Sequence, residues 1–150
     1  MTNEIPEFGI AVPGATYVLR PGGYAVILVD GGQVAVVSVR LGLVLPGGGQ
    51  DRHELPEEAA VREVAEECGL AIRPGTRIGV ADELVYAAEN QTYYRKRCTF
   101  IRAEVIGLCQ SCEPDHELRW ITPNSAVTTL LHESQQWAVA MACGATRLDE

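Results

Sequence analysis

Three glutamates lie close together in the middle of the chain. Glu63, Glu66 and Glu67 are spaced i, i+3 and i+4, so a helix would place their carboxylates on one face. Like charges at this spacing destabilise a helix by roughly 0.2–0.5 kcal/mol per pair, and a multivalent cation would reverse that effect. Hard oxygen ligands of this kind suit Mg²⁺ or Mn²⁺. A solvated acidic face has the same spacing, so the cluster alone leaves both interpretations open.

A longer pattern surrounds these glutamates and separates the two interpretations. Gly48 is followed by five residues and then Glu54, and seven further residues lead to the segment from Arg62 to Leu70. The stretch resembles the Nudix box, G-x5-E-x7-R-E-U-x-E-E-x-G-U, in which U is aliphatic. Its 23 residues fill every fixed position. The matching residues are Gly48, Glu54, Arg62, Glu63, Val64, Glu66, Glu67, Gly69 and Leu70.

The resemblance extends from about residue 15 to about residue 143. Leu45, Pro46 and Gly47 before the box are typical of the family, as is an acidic segment before a late tryptophan, here Trp120. The resemblance implies an α/β fold, a Nudix-type α/β/α sandwich with a mixed β-sheet flanked by helices. It also implies an Mg²⁺-dependent hydrolase, with Mn²⁺ as a substitute ion, that cleaves a phosphoanhydride bond in a nucleoside diphosphate derivative.

The family's residue roles can be carried over to this chain. The metal ligands implied are Gly47, through its carbonyl, and Glu63, Glu66 and Glu67. Arg62 orients the box carboxylates, with Glu54 as its expected partner. The general base is Glu63 or a late glutamate, Glu117 or Glu113, and we favour Glu117 because a predicted strand would hold its side chain toward the box. The predicted catalytic residues are Glu54, Arg62, Glu63, Glu66, Glu67 and Glu117.

Substrate specificity is expected outside the box. Residues 93–97 combine two aromatic rings with three cations, although strand alternation would turn some of them away from a pocket. The predicted substrate-binding residues are Arg40, Gly48, Tyr94 and Arg97. The leading substrate class is a (deoxy)nucleoside triphosphate, including oxidised-nucleotide clean-up. The alternatives are a nucleoside-diphosphate-sugar, ADP-ribose or dinucleotide pyrophosphatase, and a ligand-sensing module without catalysis.

Local patterns predict the elements that position these residues. Residues 56–68 have apolar positions at helical spacing, Pro56 suits the first helical position and Gly69 suits the position after the last. His53 would be strained if its loop needs positive φ, and Leu55 lacks a side-chain cap worth about 1 kcal/mol. Residues 24–29 and 33–40 predict a hairpin. Strands at 77–88, 93–107 and 117–121 and helices at 123–131 and 133–143 complete an α/β domain.

Composition narrows the class of protein. The 150 residues are expected to form one domain spanning 1–150. The net charge of −8 argues against a nucleic-acid polymer as partner. The sequence has no long apolar run and no secretory signal, so we expect a cytoplasmic protein without a membrane partner. A homodimer remains possible by analogy with the family. The five cysteines indicate no disulfide framework, and Cys109 and Cys112 have the spacing of only half a zinc site.

Overall fold

The computed structural model describes residues 4–110 and 115–144. The strands in these ranges are β1 (Glu7–Phe8), β2 (Tyr17–Ile27), β3 (Val34–Val39), β4 (Gly42–Val44), β5 (Gly47–Gly49), β6 (Leu70–Ala87), β7 (Thr92–Leu108) and β8 (Glu117–Ile121). The helices are α1 (Pro56–Cys68), α2 (Pro123–Thr129) and α3 (Glu133–Cys143). Of these helices, none is long and apolar enough to span a bilayer.

A mixed sheet lies at the centre of the fold, in the order β1-β6-β7-β2-β5, and a second sheet has the order β4-β3-β8. Two apolar clusters pack on opposite faces of the central sheet, because strand residues alternate between the faces. One cluster joins Ala60 and Val64 of α1 to Ala25 of β2. The other joins α2 and α3 to the opposite face, where Val139 packs with Phe100. The α/β/α sandwich expected from the resemblance is therefore confirmed.

The predicted hairpin of residues 24–29 and 33–40 is wrong. β2 pairs in parallel with β7 along its whole length, whereas β3 pairs with β4 and β8 in the second sheet. The turn between β2 and β3 is present, but a single bridge from Leu28 to Val34 joins them. Turn residues predict that the chain reverses direction locally. They do not predict whether the strand after the turn pairs with the strand before it.

The helix that carries the glutamates begins and ends where the pattern predicts. α1 starts at Pro56, and Gly69 follows it in the left-handed conformation with φ of 68°. At its start the Leu55 N–H donates to the Glu58 carboxylate over 2.8 Å, while Leu55 itself offers no side-chain cap. The loop before the helix does require positive φ, which is 69° at His53. Both departures from the family pattern therefore cost local stability without changing the course of the chain.

Candidate active site

A cleft of about 650 Å³ opens on the α3 face of the central sheet. Its outer end is lined by the β5 glycines together with Glu63 and Glu67 of α1. Its inner end reaches β6, β7 and the start of α3. Three of the predicted substrate-binding residues, Arg40, Gly48 and Tyr94, line this cleft. The volume is in the range of small-molecule sites.

Arg62 organises the carboxylates of α1. Its Nε and Nη2 each donate to Glu54 over 2.9 Å, and Nη2 also donates to the Gly49 carbonyl over 3.0 Å. Its Nη1 donates to Glu63 over 3.2 Å and to Glu66 over 3.3 Å. The planar guanidinium thus joins the box loop to the helix and orients three carboxylates at once. This is the arrangement that the resemblance implied for Arg62 and Glu54.

The pairing also sets the charge state of Glu54. The hydrogen bond from Arg62, and then the one from the Asp51 N–H, lower the pKa of Glu54 from 4.5 to about 2. The same contact with Glu54 raises the pKa of Arg62 above its ordinary value. Glu54 is therefore a carboxylate fixed in its ionised form, which suits a positioning role better than proton transfer.

The glycine loop brings the main chain against two box glutamates. The Gly47 N–H donates to Glu67 Oε1 over 3.0 Å. A Cβ added to Gly48 would lie 2.6 Å from Glu63 Oε2, so only glycine lets this carboxylate approach the backbone as closely as it does. Peptide groups and carboxylates consequently lie side by side at the outer end of the cleft.

The donor set at this end fits a hard divalent cation. Within residues 4–110 and 115–144, no three acidic, histidine or cysteine side chains form a ready metal-holding group. Mg²⁺ commonly uses only one or two protein carboxylates, and waters and substrate phosphates complete its shell. Glu63 and Glu67 in the cleft, with the adjacent Gly47 carbonyl, meet that smaller requirement.

Two further polar groups border the carboxylates. Tyr24 lines the cleft, and burial, followed by the nearby Cys98, Glu67 and Glu63, raises its pKa above the ordinary value. Tyr24 is therefore a neutral hydroxyl group. His116 Nε2 lies 3.9 Å from Glu67 Oε2. His116 belongs to the described part of the segment before β8, residues 115–116, which therefore reaches the box.

The structure does not orient Glu117 as expected. Its side chain is 69% exposed, pairs with Arg119 over 3.0 Å and does not line the cleft. Leu118 and Trp120 pack on the cluster beneath α1, so alternation along β8 turns Glu117 to the opposite side. The other late candidate, Glu113, and Cys112 lie outside the described residues. Cys109, the other cysteine of the pair with the spacing of half a zinc site, is exposed.

Alternation along β7 divides the predicted cationic segment in the same way. Tyr94 faces the cleft, and the Arg20 guanidinium lies 5.2 Å from its ring centre. Arg97 faces the other side of the sheet, where Nε and Nη2 each donate to Asp82 over 2.9 Å. Burial alone would raise the pKa of Asp82, but the bonds from Arg97 and Arg95 outweigh it and leave the pKa below the ordinary value. Arg97 therefore does not join Tyr94 in the cleft.

The inner end of the cleft contains polar residues in addition to the predicted substrate-binding set. Lys96 of the cationic segment lines it, together with Glu83, His132 and Ser134, which the sequence analysis did not single out. Burial lowers the pKa of His132, against a smaller opposing effect of Glu83. Two adjacent carboxylates, Asp82 and Glu83, between the apolar residues of β6 were the available signal for Glu83, because charged residues are seldom buried without a partner.

The fold and the site agree with what the resemblance implied, because a mixed sheet lies between helices and Arg62 orders the box carboxylates beside the β5 glycines. The sequence model described as the NUDIX domain matches residues 18–141, and the chain belongs to the Nudix family. Members of this family typically use a divalent metal.

Individual relatives agree with this assignment. The chain is 35% identical over 89 residues to a Mycobacterium tuberculosis protein named "Putative 8-oxo-dGTP diphosphatase 3", a stretch that covers 59% of this chain and 41% of that relative. It is similar to a MutT NUDIX hydrolase from Burkholderia pseudomallei, with 28% identity, a TM-score of 0.61 and coverage of 83% and 98%. A NUDIX hydrolase from Nitrosomonas europaea shares the fold at 18% identity, with a TM-score of 0.68 and coverage of 83% and 88%.

Proposed function

We propose that this protein is a pyrophosphohydrolase that cleaves a phosphoanhydride bond of a (deoxy)nucleoside triphosphate with Mg²⁺, or Mn²⁺ in its place. The observation that carries the proposal is the intact arrangement of Arg62, Glu63 and Glu67 against the Gly47–Gly49 strand at the mouth of a nucleotide-sized cleft. A domain that only senses a ligand has no need of this arrangement. The name of the Mycobacterium tuberculosis relative supports the same substrate class.

The chain's own groups account for binding and orientation. Glu63 and Glu67, with the Gly47 carbonyl, would hold the cation, and the bare backbone at Gly48 lets phosphates approach closely. Arg62 fixes Glu63 and Glu66 in position, and Glu54 holds Arg62 in turn. When bound, Mg²⁺ supplies neutralisation of phosphate charge and acidification of the attacking water.

The proton transfer is assigned to a box carboxylate. Water forms a bond to phosphorus, the bridging P–O bond breaks, the water proton moves to the carboxylate and the released phosphate carries the bridging oxygen. Glu63 and Glu67 both line the cleft, and we assign the acceptor to Glu63, the box glutamate that the resemblance implies as a base. The low pKa of Glu54 makes it a weak proton acceptor, and Glu117 points away. A positioned base of this kind contributes about 10²–10⁴-fold to the rate.

The test is product analysis in ¹⁸O-labelled water. Wild type and Glu67→Gln are incubated with nucleoside triphosphates, nucleoside-diphosphate sugars and ADP-ribose, with Mg²⁺ or with excess EDTA. The proposal expects triphosphates to be cleaved fastest, with label in one phosphate product and almost no turnover in EDTA or in the variant. Glu104→Gln, at an exposed carboxylate that does not line the cleft, is the control and should keep its rate.

Each other result has a defined meaning. Faster cleavage of a nucleotide sugar or ADP-ribose would replace the substrate class, and binding without any turnover would indicate a ligand-sensing module. Full activity in excess EDTA would exclude the proposed chemistry altogether.

A further inference from the structure

An acidic and a basic side chain stand next to each other at the inner end of the cleft. Glu83 of β6 is only 6% exposed, and Lys96 of β7 is its direct partner across the antiparallel strand pair. Such partners have Cβ atoms about 5 Å apart. Both line the cleft, and in the described part of the chain these two side chains do not form an ion pair with each other. An acceptor and a donor are therefore presented together to a ligand.

The start of α3 fixes the carboxylate of Glu83. Its Oε1 accepts a hydrogen bond from the Ser134 N–H over 2.9 Å in a buried setting. Within residues 4–110 and 115–144, this is the hydrogen bond that the Glu83 carboxylate accepts. Oε2 therefore remains for a ligand, in a direction that the helix start sets in advance.

The register of the sheet relates this pair to the phosphate end. Glu83 lies opposite Lys96, and Lys96 lies opposite Arg20 of β2, so the three form a row across adjacent strands. β5, with Gly48, is the next strand after β2. Three strand spacings separate β6 from β5, which is about 14 Å. An extended nucleotide covers a comparable length from the edge of its base to its outer phosphates.

We propose that Glu83 and Lys96 recognise the Watson–Crick edge of a guanine base. This edge has one acceptor, O6, beside two neighbouring donors, N1–H and the 2-amino group. Lys96 donates to O6, and Glu83 accepts from the two N–H donors, a charge-assisted arrangement that is stronger than neutral bonds. Adenine and cytosine have a single donor group on this edge, and uracil places a second carbonyl where the carboxylate must accept. The proposal rests on the proposed function, which places the phosphates at the other end.

This assignment includes oxidised guanine without selecting for it. Oxidation at C8 leaves O6, N1–H and the 2-amino group unchanged, so Glu83 and Lys96 would treat both forms alike. They therefore define a guanine-nucleotide specificity, and any preference for the oxidised base would need other contacts.

Glu83→Gln is an informative variant because it changes one atom that faces the ligand. The amide carbonyl can keep the Ser134 hydrogen bond, so the NH₂ group takes the place of Oε2. An acceptor then becomes a donor, which opposes N1–H of guanine. Lys96→Met removes the donor to O6, and Glu104→Gln, outside the cleft, is again the carboxylate control.

The experiment measures binding of GMP, IMP, AMP and UMP by calorimetry in metal-free buffer with EDTA. Wild type should bind GMP at least about tenfold more tightly than AMP or UMP, with IMP between them because it lacks the 2-amino group. Glu83→Gln should lose about tenfold or more for GMP and little for AMP, and Lys96→Met should also weaken GMP. Circular dichroism and melting would establish that each variant is folded.

The outcomes separate this proposal from the proposed function. Equal binding of GMP and AMP by wild type, undetectable binding of all four, or an unchanged GMP preference in folded Glu83→Gln would overturn it. Guanine-selective binding without hydrolysis of GTP would instead sustain the subsite and overturn the proposed function. The ratio of kcat/KM for GTP over ATP should follow the binding ratio in an active enzyme.

Discussion

At the scale of single residues, one arginine determines how the carboxylates of α1 are presented. Glu63 and Glu66 lie at like-charge spacing, and the Arg62 guanidinium bonds both while its opposite side bonds Glu54. The repulsion noted in the sequence is therefore already reduced in the folded protein before any cation binds. Arg62 is 31% exposed at its side chain, so solvent screens part of each interaction.

The ion pair of Glu54 and Arg62 should give the protein a measurable pH dependence. The pKa of Glu54 is about 2 when folded, against an ordinary 4.5, so its contribution is present above pH 4.5 and is lost as pH falls toward 2. Glu54→Gln should be less stable than wild type by about 1 kcal/mol at pH 7. The difference should shrink between pH 4.5 and pH 3 in urea titrations, and a gap independent of pH would contradict the pairing.

Glu117 and Glu63 should respond differently to the same substitution. Glu117 is exposed and paired with Arg119, so Glu117→Gln should keep kcat within about twofold of wild type. Because Glu63 is assigned both to the cation and to the proton, Glu63→Gln should need more Mg²⁺ to reach its maximal rate, and a loss of about 10²–10⁴-fold in kcat should remain at saturating Mg²⁺. Rates across an Mg²⁺ titration decide this. A crippled Glu117→Gln beside a normal Glu63→Gln would reverse the assignment.

At the level of secondary-structure elements, Gly23 and Gly48 contact α1 in different ways. A Cβ at Gly23 would lie 1.9 Å from the Pro56 carbonyl, so this glycine lets the start of α1 rest directly on β2. A Cβ at Gly48 would meet only the end of the Glu63 side chain, which can move. One position therefore fixes the packing of the helix, and the other fixes a functional carboxylate.

The corresponding prediction compares Gly23→Ala with Gly48→Ala. Gly23→Ala should destabilise the protein by about 1–3 kcal/mol, because backbone must shift to relieve the overlap. Gly48→Ala should melt close to wild type yet lose most metal-dependent activity, because Glu63 is displaced. Thermal melts and rates on both variants provide the measurement. A larger loss of stability in Gly48→Ala than in Gly23→Ala would contradict it.

The elements also show what local sequence can and cannot predict. The bounds of α1 follow from Pro56, Gly69 and the apolar spacing between them, all of which act within the helix itself. The partner of β2 does not follow, because its parallel pairing with β7 joins segments about 75 residues apart and depends on the whole fold.

The residues of the candidate site also fall into two groups, those that local sequence predicts and those that depend on the whole fold. Arg62 and its carboxylates were predictable because one loop and one helix carry them. The turn of Glu117 away from the box was readable in principle, because Leu118 and Trp120 already marked the buried side of β8. The meeting of Glu83 with Lys96 depends on the register of β6 with β7, which no local pattern provides.

For the whole molecule, the excess of acidic over basic residues would repel an anionic substrate. The chain carries 20 acidic and 12 basic residues, and Glu63 and Glu67 place part of that excess at the mouth of the cleft. A polyphosphate meets repulsion there unless a cation lies between the two. A polyphosphate chain thus requires the cation for tight binding as well as for chemistry, whereas a nucleoside monophosphate carries less charge to this end of the cleft. The binding of the cation itself must stabilise the folded state.

Mg²⁺ should therefore raise the melting temperature without any nucleotide. At a concentration tenfold above its Kd, the ion adds about 1.4 kcal/mol, or about 3–6 °C for a domain of this size. KCl at matched ionic strength controls for general screening of the acidic surface. The double variant Glu63→Gln/Glu67→Gln should have a stability close to that of wild type in EDTA, because the relief of the remaining repulsion offsets the weaker bond from Arg62. It should gain only what KCl provides. If wild type and the double variant rise equally with Mg²⁺, then the ion acts elsewhere on the acidic surface and these two carboxylates do not hold it.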